Sequence, residues 1–223
     1  MNYFKSIAIA IIGFSLLLAC SKPEGERVDA EEAKDVNNEV AGVEYIVDTQ
    51  ASIVNWQGSK PTGTHYGTVN IKEGKILVEN AKITGGEFVI DLATIVDKDI
   101  EDAEMNQKLV GHLKSEDFFH IEKYPVAVFT ITEVKDAVSQ KEGEMPTTHS
   151  ITGNLTMKEQ VKSITFPAKV TITENSIDAE TIQFVINRTN WNVNYGSKSI
   201  FDDLKDNFIH DDMGLKIKLV AKK

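Results

Sequence analysis

Short stretches in which apolar and polar residues alternate follow one another from residue 45 to the end of the chain. In AVFTITEV, residues 127–134, the first, third and fifth residues are alanine, phenylalanine and isoleucine, and in GLKIKLVA, residues 214–221, apolar residues alternate with lysines. A period of two is typical of a strand with two unlike faces. Gly74 and Gly85-Gly86 are predicted turn or bulge positions. About eight strands without a βαβ rhythm predict one antiparallel barrel or sandwich.

Two stretches have helical rather than strand periodicity. From Asp102 to Leu113, Met105, Leu109 and Leu113 recur every four residues, which predicts an amphipathic helix. Residues 199–208 are a second, shorter candidate. The sequence therefore predicts a mainly β domain over residues 44–223, with one or two short helices.

The N-terminus has the parts of a secretory signal. Lys5 precedes an apolar run over residues 7–19, which is shorter than the ~20 residues of a membrane-spanning helix. The run ends in Leu-Leu-Ala-Cys, which resembles the lipobox of bacterial lipoproteins. We expect a signal peptide over residues 1–19, lipid attachment at Cys20, and an exported lipoprotein facing the periplasm or cell surface. Cys20 is the only cysteine, so cysteine nucleophiles and cysteine zinc sites are excluded.

Residues 20–43 are rich in acids and nearly free of large apolar side chains. Such a segment buries too little surface to offset the entropy of ordering, so we expect a disordered acidic tether. The whole chain has a net charge of −10, and no patch combines Lys or Arg with aromatic residues. Nucleic acid is therefore not an expected partner.

Two histidines and an acid have a spacing that suits a metal. His112, Glu116 and His120 fall at i, i+4 and i+8, which would place them on one face of an unbroken helix. However, Ser115 is a candidate cap of a new turn, so the first helix is predicted to end near Lys114. A half-buried structural histidine with solvated acids is the alternative interpretation.

No catalytic motif is present. The chain lacks G-x-S-x-G, the phosphate-binding G-x-x-x-x-G-K and G-x-G-x-x-G. The acid pairs 202–203 and 211–212 are adjacent residues, whose side chains point apart in a strand or helix. We therefore do not expect an enzyme. A metal-dependent hydrolase or isomerase using His112, Glu116 and His120 remains the alternative.

From Tyr45 onward the chain resembles the YceI-like family of bacterial secreted lipid-binding proteins. The most specific part is H-L-x-S-x-D-F-F, followed by Tyr-Pro and a β-strand. The segments that carry the resemblance are YIVDTQASIVNWQGSK, GTHYGTV with the following EGKI, HLKSEDFFHIEKYPVAVFTIT, HSITGNLTMKEQVKSITFP and INRTNWNVNYGS.

The resemblance implies an extended, lipocalin-like antiparallel β-barrel around a long apolar tunnel that binds polyisoprenoid chains, quinone tails or related amphiphiles. It implies no catalysis, and no cofactor apart from a bound isoprenoid lipid or quinone. His112, Leu113, Phe118 and Phe119 match a family segment beside the barrel. Asn187 stands where many members have aspartate, so a charge pair with Arg188 is not inherited.

The expected partners are an apolar lipid and a membrane, and a homodimer is retained as a further candidate. Large aromatic side chains offer rigid apolar surface for a lipid, whereas packing in the core is the alternative for each. A non-binding structural lipoprotein, with the barrel completely closed by these side chains, is a third interpretation. The predicted apolar contacts are Trp56, Phe88, Phe118, Phe119, Phe129, Trp191 and Tyr195. His65 and Arg188 are predicted to contact a polar head group, and hydrogen bonds to backbone carbonyls are their alternative.

Overall fold

The computed structural model describes residues 22–37, 41–140 and 143–223. The expected signal peptide and Cys20 lie outside the described residues. The described part contains one α-helix, α1 (Ala103–Lys114), and one turn of 3-10 helix (Arg188–Trp191). Its strands are β1 (Glu26–Arg27), β2 (Glu31–Glu32), β3 (Val43–Val47), β4 (Ile53–Lys60), β5 (Gly63–Glu79), β6 (Lys82–Asp97), β7 (Val126–Ser139), β8 (Thr147–Met157), β9 (Gln160–Ile172), β10 (Ser176–Thr181), β11 (Phe184–Asn187) and β12 (Asp212–Lys222).

Eight of the strands form a closed antiparallel ring. The pairing runs from β4 through β5, β6, β7, β8, β9 and β10 to β12. β12 then pairs with β4, with Leu215 opposite Trp56. Closure satisfies the backbone hydrogen bonds that an open sheet leaves exposed at its edges. The prediction of an extended antiparallel β-barrel is confirmed.

The core lies inside the ring because the strands alternate between two faces. In β7, Ala127, Phe129 and Ile131 are buried and their neighbours are partly exposed. In β12, the lysines at 216 and 218 are exposed, whereas the apolar residues between them pack against the core. The period-two pattern of the sequence therefore gives the correct inward face for both strands.

Two tight hairpins join the long strands. Asn80 and Ala81 connect β5 to β6, and Lys158 and Glu159 connect β8 to β9; all four have positive φ. Two positive φ values are typical of the type I′ turns that suit the twist of a hairpin. Gly74 is not at a turn: it lies within β5 opposite Phe88, directly after a shift of register between Ile71 and Glu73. An added Cβ at Gly74 would come within 2.9 Å of the phenylalanine ring.

The predicted first helix is confirmed, but its apolar stripe is shorter than expected. Asp102 caps the helix, since its carboxylate accepts a hydrogen bond from the Met105 N–H at 2.9 Å. Leu109 and Leu113 face the core. Met105 does not, because 55% of its surface is exposed on the outer side of the helix.

The prediction of a second helix over residues 199–208 is wrong. This segment forms a series of turns, and Lys205 has a φ of 50°, which interrupts right-handed helix. No helix among the residues that the structure describes is both long enough and apolar enough to cross a membrane.

Residues 22–37 differ from the expected disordered tether, because they lie along the outside of the ring. β1 pairs in parallel with β11, and β2 pairs with β9. Val28 is buried against the core, and the side chain of Asn154 makes hydrogen bonds to the backbone N–H and C=O of Lys34 at 2.9 and 2.7 Å. The sequence prediction failed because backbone pairing and one small apolar side chain fix this arm in place, and neither needs a long apolar run.

Candidate functional site: an apolar cavity in the barrel

The ring encloses a cavity of about 470 Å³. This volume lies within the ~300–1,000 Å³ range of small-molecule pockets. Inward-facing residues of all eight ring strands contribute to its lining, and most of them are aliphatic or aromatic. We call this apolar lining the wall. Its aliphatic members include Val54, Val69, Ile71, Ile76, Ile90, Leu92, Ile95, Ile131, Ile151, Leu155, Ile164, Val170, Leu215, Ile217 and Leu219.

Four phenylalanine rings form a continuous row in the wall. Phe88 stacks with Phe129 at 6.4 Å between ring centroids, Phe129 contacts Phe166 at 5.5 Å, and Phe166 lies parallel to Phe184 at 4.7 Å. The sequence prediction included Phe88 and Phe129 and missed the other two. In β9, Ile164 and Phe166 are buried on either side of the exposed Thr165, and this period-two pattern was the sequence signal for Phe166.

The cavity opens toward solvent at one end of the ring. Three exposed residues line it, namely Lys60 at the end of β4, and Tyr195 and Asn207 in the segment between β11 and β12. We call this end the mouth. The other titratable residues that line the cavity lie at the same end: His65, His112, Arg188, His210 and Asp212.

The helix α1 and the turn after it cover part of the mouth. The imidazole of His112 packs edge-on against Phe118 at 5.0 Å and Tyr195 at 4.6 Å between centroids. Phe118 and Phe119 are buried and line the cavity. The Lys158 ammonium donates a 2.6 Å hydrogen bond to the Phe118 carbonyl, which holds this turn against the β8–β9 hairpin.

The position of Lys158 beneath this turn affects the pKa of its ammonium group. Burial lowers the pKa of the Lys158 ammonium, and the nearby carboxylates of Glu116 and Asp117 oppose that shift. Glu116 and Asp117 therefore stabilise the protonated form of Lys158 at this end of the barrel.

Arg188 uses its donors to hold the mouth together. It is 4% exposed, and its guanidinium donates hydrogen bonds to the backbone carbonyls of Val193, Ile209 and His210, the last two at 3.2 and 3.1 Å. Asp211 lies 3.7 Å from the guanidinium and opposes the lowering of the Arg188 pKa by burial. Hydrogen bonds to backbone carbonyls were the alternative to head-group binding that the sequence analysis gave for Arg188.

Asn187 has a local role beside this arginine. Its side-chain oxygen accepts hydrogen bonds from the Thr189 N–H at 2.9 Å and the Thr189 hydroxyl at 2.7 Å, and so caps the 3-10 turn. Asp211 therefore supplies the charge partner for Arg188 that position 187 does not.

The two predicted tryptophans have different places. Trp56 lines the cavity, and its indole N–H donates to the Val96 carbonyl at 3.2 Å. Trp191 does not line it: this residue is 0% exposed, and its indole N–H donates to the Leu155 carbonyl at 2.9 Å. Trp191 is therefore a core residue behind the wall, and the prediction that it contacts lipid is not supported by its position.

The structure does not bring His112, Glu116 and His120 together as metal ligands. The helix ends at Lys114, so their i, i+4, i+8 spacing no longer describes one face. The His112 Nε2 lies 3.3 Å from Asp117, whereas the His120 ring packs against Tyr124. Within the described ranges, only one group of three side chains has potential ligand atoms close enough to bind a single metal ion. It consists of His65, Asp97 and Asp99, at the mouth.

Comparisons with known proteins agree with this architecture. A family model of the YceI-like domain matches residues 45–221. A segment of 59 residues is 44% identical to UPF0312 protein plu2095 of Photorhabdus laumondii, and it covers 26% of this chain and 27% of that relative.

Two solved structures share the fold. Burkholderia cenocepacia BcnA has a TM-score of 0.56 and 22% identity, with 79% of this chain and 99% of that chain covered. A polyisoprenoid binding domain from Saccharophagus degradans, described as implicated in plant cell wall breakdown, has a TM-score of 0.55 and 16% identity, with 82% and 99% covered. At sequence identities of 16–22%, the structural similarity shows that this chain shares their fold.

Proposed function

The chain belongs to the YceI-like family, and on this premise we propose that it binds and carries a long apolar lipid, such as a polyisoprenoid or a quinone tail, without chemically changing it. The observation that carries the proposal is the 470 Å³ cavity with its nearly continuous apolar wall. The Saccharophagus degradans relative is a polyisoprenoid binding domain, which supports the class of ligand. The same cavity disfavours a completely closed structural barrel.

The energetics favour an apolar chain as the occupant. Burying one CH₂ group contributes about 0.8 kcal/mol, so a five-carbon isoprene unit contributes roughly 3–4 kcal/mol before ordering costs. A few such units are sufficient for micromolar binding. The wall offers no partner for a charged group, because the titratable lining residues lie at the mouth. A ligand is therefore expected to place its tail along the wall and its polar end at the mouth.

The course of the N-terminal arm supports a membrane-anchored carrier. Lys22 borders a surface pocket together with His210 and Asp212, which also line the cavity at its mouth. Cys20 is two residues earlier in the sequence, so the length of the chain limits the distance between the two Cα atoms to about 7 Å. Exposed apolar residues near the same end, Ile200 and Phe201, suit contact with a bilayer surface. We therefore propose that the mouth faces the membrane to which the protein is anchored.

Identification of the copurifying lipid tests the function. The full chain, expressed in its native host and purified in mild detergent, is expected to show a bound mass in native mass spectrometry that solvent extraction assigns to an isoprenoid or related lipid. A cavity that is empty in every preparation, and that takes up neither isoprenoid quinones nor acyl lipids, would refute it.

Replacement of Phe119 tests the place of binding. This side chain is 7% exposed and lines the cavity, so Phe119→Asp is expected to abolish lipid retention, and Phe119→Leu to preserve it. Val138→Asp is the control for an added charge, because Val138 is 84% exposed. Circular dichroism must show that the Phe119→Asp barrel keeps its β-sheet. Unchanged lipid content in that folded variant would place the ligand elsewhere.

A further inference from the structure

Three potential metal ligands meet where β5 and β6 reach the mouth. His65 lies near the start of β5, Asp97 is the last residue of β6, and Asp99 follows two residues later. The register places Asp97 opposite Gly67, and the Lys98 N–H donates to the Tyr66 carbonyl at 2.9 Å. Backbone pairing therefore fixes the relative positions of the three side chains.

The three side chains are within reach of a single ion. His65 Nδ1 is 2.9 Å from Asp99 Oδ2, and one ligand atom from each of His65, Asp97 and Asp99 lies within 4.8 Å of the others. Ligand atoms are ~2.0–2.2 Å from Zn²⁺, which places them about 3.3 Å from one another in a tetrahedral site. The 2.9 Å separation is slightly shorter than that value, and no separation exceeds 4.8 Å, so side-chain rotations can bring the three ligand atoms to tetrahedral spacing.

Asp97 has a buried carboxylate oxygen that accepts no hydrogen bond in the described structure. Its side chain belongs to a residue that is only 7% exposed. Oδ1 accepts hydrogen bonds from the Ile100 N–H at 2.9 Å and from the Asn106 amide at 3.1 Å, whereas Oδ2 is buried and has no hydrogen-bond partner. Leaving a buried carboxylate oxygen without a partner is costly.

The neighbouring carboxylate increases that cost. Burial raises the pKa of Asp97, and Asp99 raises it further through a hydrogen bond between the two carboxyl groups and through its negative charge. For Asp99, hydrogen bonds from the Tyr66 N–H and from His65 outweigh the effect of burial and lower its pKa. An ionised Asp99 therefore lies beside a buried carboxyl group, an arrangement that either a proton or a cation can stabilise.

We propose that the imidazole of His65 and the carboxylates of Asp97 and Asp99 bind one divalent transition-metal cation, of which Zn²⁺ is the representative. One nitrogen and two carboxylate oxygens suit Zn²⁺ better than Mg²⁺ or Ca²⁺, which prefer oxygen ligands throughout. Three protein ligands leave a further coordination position open. Since His65 also lines the cavity, the site lies at its rim.

The test is direct binding of Zn²⁺ to the full chain after treatment with a chelator. We expect isothermal titration calorimetry to show one Zn²⁺ per chain. At a free concentration about 100 times the Kd, Zn²⁺ is expected to raise the Tm by several degrees, whereas Mg²⁺ at the same concentration is expected to raise it far less.

Asp97→Asn is the decisive variant. The Asn oxygen can keep the hydrogen bonds from Ile100 and Asn106, while its amide can donate to Asp99, so the metal-free variant is expected to fold with a Tm no lower than the parent chain. Its Zn²⁺ response is expected to be lost. His65→Ala is expected to weaken Zn²⁺ binding at least about tenfold. Asp178→Asn, which removes an exposed carboxylate of β10, is the matched control with an unchanged response.

Two outcomes would overturn the proposal. Absence of Zn²⁺ binding by the parent chain would mean that a shared proton alone stabilises the two carboxyl groups. Equal Zn²⁺ binding by the parent chain and by Asp97→Asn would place the ion at another site.

Discussion

The wall of the cavity holds a row of four packed phenylalanine rings, whereas the mouth holds a buried arginine, three of the five histidines and both proposed carboxylate ligands. The two regions are built on the same ring of strands. In the wall, each side chain contributes through apolar contact. In the mouth, buried polar groups also use partners that are distant in the sequence, as Arg188 does when it binds the carbonyls of Ile209 and His210.

The difference predicts how each region responds to substitution. Removal of one polar partner at the mouth leaves several buried groups unpaired, which costs more than removal of an apolar contact of similar size. The wall is expected to tolerate volume-conserving apolar changes and to respond mainly to changes in volume. Binding of a varied set of apolar chains suits the wall, and selection among their polar ends suits the mouth.

The largest expected effect is at Arg188. Arg188→Met keeps much of the side-chain length but removes the hydrogen bonds to three carbonyls and leaves Asp211 without its cation. We expect the free energy of unfolding to fall by about 3–5 kcal/mol, measured by urea denaturation. Lys169→Met, at an exposed position of β9, is the control and is expected to change it by less than about 0.5 kcal/mol. A small effect at Arg188 would mean that the mouth is held by other contacts.

A smaller effect is expected when the wall is overpacked at Gly153. A Cβ here would lie 2.3 Å from Phe129 Cζ and 2.6 Å from the Thr130 carbonyl oxygen. Gly153→Ala is therefore expected to lower the free energy of unfolding by about 1–3 kcal/mol.

Gly111 in α1 provides the matched alanine substitution. It has open space around its Cα, so Gly111→Ala is expected to stabilise the protein by up to about 1 kcal/mol through helix propensity. Thermal unfolding checks both variants. A Tm that rises for Gly153→Ala as it does for Gly111→Ala would contradict the steric argument for the wall.

The smallest expected effect is a pH dependence that arises at the mouth. Burial lowers the pKa of His210, Lys22 lowers it further, and Asp211 and Asp212 oppose the shift. The folded protein therefore binds this proton less well than the unfolded chain does. The contribution of neutral His210 to the free energy of unfolding is fully present above its unfolded pKa of about 6.5. This contribution falls as the pH decreases through that value.

The His210→Gln variant isolates this contribution. The difference in Tm between the parent chain and His210→Gln is expected to change between pH 7.5 and pH 5.5, in favour of the variant at the lower pH. A constant difference across that range would show that His210 titrates alike in the folded and unfolded states.

Much of the wall could be predicted from the sequence because its pattern is local. Alternation in β7 and β12 identified the inward faces, and the four-residue spacing of Leu109 and Leu113 identified the helix. These signals act over a few residues, since the direction of a side chain depends on the neighbouring backbone. Periodicity alone did not distinguish a barrel from a sandwich. The family resemblance added the prediction of a closed barrel with an apolar cavity.

The arrangement of the mouth could not be predicted in the same way. The regular spacing of His112, Glu116 and His120 suggested a metal site, but the chain leaves the helix after Lys114 and the three side chains diverge. The N-terminal arm was expected to be disordered, and it pairs with β9 and β11.

The sequence by itself determined the strand periodicity, the helix and the apolar character of the cavity. Only the tertiary structure decided which polar groups meet. His65 and Asp99 are 34 residues apart, and Arg188 and the His210 carbonyl that it binds are 22 residues apart. Contacts over such distances depend on strand register and ring closure, and a change of register by one residue reverses the face of every side chain in a strand.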